Sequence, residues 1–159
     1  MILARAIPTA VLLAVAACSP EAPPPPAPSA PSTTLTPTTG STTAVNIRLT
    51  VEGRVVNATL NDSAAARDFA SLLPLTLNLS DFHNSERISD LPRRLSTTDA
   101  PESADPKAGD LAFYAPWGNL AIYYRDAPPA SGVVVLGHLA DGGAEVLATA
   151  GRVTIELVR

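Results

Sequence analysis

From Ala44 onward the chain runs in short segments in which apolar and polar residues alternate, and a period of two is the mark of half-buried strands. Val45, Ile47, Leu49 and Val51 alternate with Asn46, Arg48 and Thr50, and Val56, Ala58 and Leu60 with Val55, Asn57 and Thr59. Glu52-Gly53 between the two runs is a tight-turn signal, so a hairpin opens the domain. Asn61, Asp62 or Ser63 can cap a helix whose buried face is Ala65, Phe69, Leu72 and Leu73. Pro74 ends it, because the residue before a proline is pushed out of the helical region. Leu75, Leu77 and Leu79 then alternate with Thr76, Asn78 and Ser80 as a third strand.

The stretch from Asp81 to Gly109 is polar and too long for a simple connection. It is expected as a functional or disordered loop, pinned in part by Leu91 and Leu95. Gly109 to Asp126, GDLAFYAPWGNLAIYYRD, follows and reads as two strands and a turn, with Pro116 and Gly118 at turn positions that suit them. Leu111 and Phe113 share one face, and Ala112 and Tyr114 the other. The hairpin holds the only Trp, all three Tyr and one of the three Phe, so a chain poor in aromatics concentrates them in the element around which the rest is expected to be built. Gly132 opens VVVL, a continuous apolar run of the kind buried on both faces. His138 to Leu147 has room for one helical turn, and Val153, Ile155 and Leu157 form the last strand. Seven or eight short strands with one or two short helices predict a mainly β domain over residues 44–159, closed or nearly closed into a barrel so that no edge is left exposed.

Ahead of Ala44 the composition is different. Residues 1–17 carry Arg5 and then the apolar run AIPTAVLLAVAA, too short to span a bilayer and suited to the core of a signal peptide. The run ends Val15, Ala16, Ala17, Cys18, which resembles a bacterial lipobox. That resemblance implies that Cys18 is acylated and becomes the first residue of the mature protein, held in a membrane by several chains such as palmitate. Ser19 rather than Asp follows, so inner-membrane retention is not signalled. The expected location is the bacterial cell envelope, on the outer membrane facing the periplasm. Residues 18–43 hold eight of the 16 prolines and one charge, and read as a disordered, extended tether. With one Cys no internal disulfide is available. A net charge of −4 without a Lys/Arg run lacks the footprint of a nucleic-acid binder.

GDLAFYAPWGNLAIYYRD and GVVVLGHLADGGAEVL, in this order after an opening hairpin, helix and strand, resemble the central hairpin and following strand of cyclophilin-like domains. The resemblance covers Val45 to Arg159 and implies the cyclophilin-like closed β-barrel. Cyclophilins that isomerise X–Pro bonds place an Arg directly after a Phe-His pair. Here Phe82-His83 is followed by Asn84, with Arg87 near but off the motif position, and Asn cannot supply the same forked, cationic donor set. Isomerase activity is therefore expected to be weak or missing.

The residues themselves exclude several chemistries. No G-x-S-x-G or phosphate-cradling glycine loop is present, and His83 and His138 lack metal-ligand spacing, so no metal or cofactor is expected. Asp99, Glu102 and Asp105 read as a solvated surface, as do Asp81 and Glu86, although that pair flanks Phe82-His83 and could do acid/base work. The candidate ligand-binding residues are Phe82, His83, Glu86 and Arg87 from the polar stretch, with Tyr114, Trp117, Asn119 and Tyr124 from the hairpin. Apolar walls with a few polar groups are what ligand pockets present, though the same aromatics would also serve as core and turn cover. Three readings stand: a non-catalytic envelope lipoprotein binding a small molecule or peptide, an envelope prolyl isomerase, and a structural or assembly module.

Overall fold

Strict alternation at the start of the domain becomes a hairpin in the computed structural model, which describes residues 44–158. The expected signal peptide, Cys18 and the proline-rich tether lie outside the described residues. Strands β1 (Val45–Val51) and β2 (Arg54–Leu60) bury Ile47, Leu49 and Val51 against Val56, Ala58 and Leu60. Their two-residue turn needs positive φ at both centres, and Glu52 and Gly53 adopt 48° and 82°. Helix α1 (Ala64–Ala70) starts at Ser63, whose Oγ accepts from the Ala66 N–H at 3.1 Å. Ala65, Ala66 and Phe69 face the core, and the helix packs on β10 (Val133–Leu139). Leu72 and Leu73 extend that face but lie past the helix, which stops at Ser71 ahead of Pro74.

The polar stretch is not a loop throughout, a correction to the sequence reading. After β3 (Leu75–Asn78) it forms β4 (Ser80–Phe82), β5 (Glu86–Asp90) and the two-residue β6 (Ser103–Ala104). Leu91 and Leu95 are buried, as expected. The central hairpin is β7 (Asp110–Tyr114) and β8 (Asn119–Tyr123), paired Leu111 to Ile122 and Phe113 to Leu120. The two-residue β9 (Ala130–Ser131) pairs with β6, and β10 follows with a bulge between Val135 and Gly137. Helix α2 (Gly143–Ala148) leads to β11 (Arg152–Leu157). Val153 and Ile155 of β11 are buried as expected, but Leu157 is 45% exposed at the strand's end.

Nine strands form one sheet in the order β3-β11-β1-β2-β10-β7-β8-β5-β4. Its two edge strands, β3 and β4, are consecutive in the chain and joined by Leu79 alone, whose N–H donates to the Gly151 carbonyl at 2.9 Å. The sheet therefore curls until its edges meet, and the result is a mainly β, nearly closed barrel with two short helices. Phe69, Phe113, Ile47, Leu120 and Leu136 fill the interior. A smaller apolar cluster of Ala112, Ala121, Tyr123 and Val133 lies on the opposite, outer face of the sheet.

Candidate functional site

The outer face of β5, β8, β7 and β10 is where alternation leaves apolar residues without an interior to fill. Register places Glu86 opposite Tyr123, Ile88 opposite Ala121, and Tyr114 opposite Asn119. Ala112 and Ala121 pair at the middle, and the small Ala121 side chain lies at the floor of a depression between larger neighbours. It opens into a cleft of about 750 Å³, within the size range of ligand pockets. One wall comes from the β4–β5 turn and Trp117, and the other from Arg125 to Ala130.

Aromatic rings line the first wall in a row of edge-to-face contacts. Phe82 lies 4.1 Å from His83 and 5.3 Å from Trp117, and Trp117 lies 5.3 Å from Tyr114, centroid to centroid. Trp117 is 55% exposed, so its ring borders the cleft rather than filling the core. His83 and Asn84 sit in a tight turn with φ of 49° and 54°, and the Ser85 N–H donates to the Phe82 carbonyl at 3.2 Å. Asn and His tolerate this left-handed backbone better than most residues do. Position 84 thus answers to the geometry of the turn that holds Phe82 and His83 over the cleft.

Two polar side chains are buried in this apolar setting. Glu86 is 9% exposed and Asn119 3% exposed. Glu86 Oε2 and Asn119 Oδ1 have no hydrogen-bond partner among the described residues. Burial pushes the Glu86 carboxyl above the usual carboxylate range, partly opposed by its hydrogen bond with Tyr123 and by nearby His83. Burial, and then the hydrogen bond and charge of Glu86, hold the Tyr123 phenol protonated well above its ordinary range. Native proteins seldom leave buried polar atoms unpaired, and where they do the atoms call for a reason.

Six of the eight expected ligand-binding residues therefore meet: Phe82, His83, Glu86, Tyr114, Trp117 and Asn119. Arg87 and Tyr124 lie away from the cleft. Arg87 alternates with Glu86 and turns to the other face, where its Nε and a second guanidinium nitrogen donate to the Ala148 carbonyl, the former at 2.9 Å. Its guanidinium also lies 5.9 Å from the centre of the Tyr124 ring. The Tyr124 hydroxyl donates to Asp81 at 2.6 Å, and that hydrogen bond leads the upward shift of its phenol. Asp81 and Glu86, on either side of one Phe-His pair in sequence, thus face different surroundings. The chain's aromatic pattern pointed to Tyr114 and Trp117 but not to Tyr123, Ile88 or Val133. Tyr123 shares a face with Asn119 by simple alternation, while Val133 reaches the cleft only through β10–β7 pairing.

Comparison with known proteins bears on the fold. No curated protein matches the sequence. A hypothetical protein from Archaeoglobus fulgidus, known from a solution structure, superposes with a TM-score of 0.52 at 18% identity, over 72% of this chain and 95% of that one. At that identity the likeness concerns the fold alone. The family described as cyclophilin-like matches residues 49–158, nearly the whole of the barrel. Barrel topology, central hairpin and matched span agree, and the chain belongs to the cyclophilin-like family.

Proposed function

We propose that this domain is a non-catalytic binding module that takes a small molecule or peptide into the outer-face cleft. The observation that carries the reading is the pair of buried, unpartnered oxygens, Glu86 Oε2 and Asn119 Oδ1, set among aromatic walls. Each costs about 1–3 kcal/mol while unpaired, a cost that a bound ligand would offset. Two further facts support a binding role over prolyl isomerisation. Asn84 stands where the enzymes' Arg would follow Phe82-His83, and the nearby Arg87 is committed to the Ala148 carbonyl. A broad thermal-shift screen of peptides and metabolites tests the reading. A ligand at a hundred times its Kd stabilises the folded state by about 2.7 kcal/mol. No shift across the whole set would favour a structural or assembly module instead. In a protease-coupled assay with an Ala-Pro-Phe peptide, turnover is expected at the uncatalysed background. Robust turnover that is lost in Arg87→Ala would establish the isomerase.

The same proposal sets the module on a bacterial membrane, the outer membrane facing the periplasm, through lipid on Cys18. This part rests on the run Val15-Ala16-Ala17-Cys18 and the proline-rich stretch behind it. Mass spectrometry of the mature N-terminus is expected to find an acylated Cys18, and an unmodified thiol there would remove the anchor.

A further inference from the structure

We infer that the cleft is shaped for an elongated organic cation, an ammonium or guanidinium group seated at Glu86 with an apolar body running to a second N–H donor at Asn119. This rests on the binding role proposed above and specifies the chemistry of the ligand. Both unpartnered atoms are oxygens, and an ionised carboxylate and an amide oxygen can only accept hydrogen bonds. At Asn119 the missing partner must donate, and at Glu86 it must donate whenever the carboxyl is ionised, the state that a bound cation favours.

The strand register sets the spacing. Tyr123 faces Glu86 across the β5–β8 ladder, and Asn119 lies four residues back on the same face of β8. At about 3.3 Å per residue the two ends are roughly 13 Å apart, too far for one small ion to bridge. Between them lie Ala121 and Ile88, which offer apolar contact and no polar group. Phe82, Trp117 and Tyr114 border the same span, and aromatic faces favour both an apolar body and a cation.

Charge around the cleft agrees. Arg125 borders it, but its guanidinium donates to the Asn84 carbonyl at 3.3 Å and lies 5.8 Å from the centre of the Tyr124 ring, so it is not paired with Glu86. Asp126 adds a second carboxylate, with one oxygen accepting from the Ala108 N–H at 3.0 Å. With both carboxylates ionised, Glu86 and Asp126 outnumber Arg125 by one charge in the lining, a balance that favours a cation over an anion.

Isothermal titration of the full chain with four probes of one chain length tests this: octamethylenediamine, octylamine, octanol and octanoate. The diamine is expected to bind tightest and octylamine next. Octanol should be weaker than octylamine by at least about tenfold, and octanoate weaker still. Glu86→Gln should bring octylamine and octanol to one affinity. Asn119→Leu should erase only the advantage of the diamine over octylamine. Both substitutions keep the number and branching of the side-chain heavy atoms, and circular dichroism melts confirm that each variant is folded. His83, Tyr123, Arg125 and Asp126 also face the cleft, so the pH profile of octylamine binding is read as wild type against Glu86→Gln. Affinity should rise with pH in the difference, because the cation requires the ionised carboxylate. Octanol or octanoate binding as tightly as octylamine, or an amine preference that survives Glu86→Gln, would overturn the cation assignment and leave the cleft a binding site. Silence with all four probes, joined to an empty thermal-shift screen, would overturn both.

Discussion

Glu86 and Asp68 are both carboxylates, and their surroundings move them in opposite directions. Asp68 receives Arg93 through two hydrogen bonds, at 2.6 and 2.9 Å, and the Ser96 N–H at 2.7 Å. The Arg93 hydrogen bonds first, then that of Ser96, bring its carboxyl down to about 2. Its contribution to stability is present above the unfolded value and lost as pH falls through about 2. Asp68→Asn is expected to cost about 1–2 kcal/mol at neutral pH, and the difference from wild type should close near the acid limit. Glu86 has the reverse sign. Its raised folded value means that the folded state holds the proton more tightly than the unfolded state, so stability declines as pH rises through that range. Glu86→Gln should therefore stabilise the domain at neutral pH by on the order of 1 kcal/mol. It should leave stability unchanged below the ordinary carboxylate range. Urea titrations at several pH values read both effects. A residue kept at a cost to stability fits a binding site better than a structural role.

The hairpins show what alternation can and cannot reveal. β1 and β2 each bury one face in the barrel, so their apolar residues recur every second position, whereas β7 and β8 are covered on both faces and were legible as apolar runs on either side of the Pro116–Gly118 turn. The β4–β5 hairpin was not. Glu86 and Ile88 point to the cleft while Arg87 and Ser89 take the other face, so neither face is uniformly apolar and the stretch reads as loop. Its turn signal was also unconventional, His-Asn rather than a glycine pair, although both residues adopt positive φ. Closeness between elements carries a sharp prediction at Gly137. A Cβ there would stand 2.3 Å from the Thr59 carbonyl oxygen and 2.8 Å from Leu60 Cα, where β10 pairs with β2. Both are backbone atoms of a paired strand and cannot step aside cheaply. Gly137→Ala is expected to destabilise by about 3 kcal/mol or more in chemical denaturation. Gly151→Ala, with nothing within 4 Å of its Cβ, should stay within about 0.5 kcal/mol of wild type.

Closure of the barrel depends on contacts that span the whole molecule. β3 and β4 meet through Leu79, and α2 is tied to β5 by the Arg87 guanidinium on the Ala148 carbonyl. Arg87→Ala should cost about 2 kcal/mol in unfolding and leave ligand affinity in the cleft unchanged, since the side chain lies on the other face. A loss of cleft binding without a loss of stability would place Arg87 in the site after all. From the chain alone came the mainly β class, the position of most strands, the helix start near Ser63, the cyclophilin-like resemblance and six residues that border the cleft. Those are local properties, set by alternation, turn chemistry and capping within a few residues. The cleft itself is a product of register. Glu86, Asn119 and Val133 come from three strands far apart in sequence, and only their lateral pairing brings them to one face. Alternation could say that Arg87 opposes Glu86 across the strand, but not which of the two would face the cleft. That choice was made by the barrel, which turned Arg87 to the end of α2 and left the Glu86 carboxylate buried beside Tyr123.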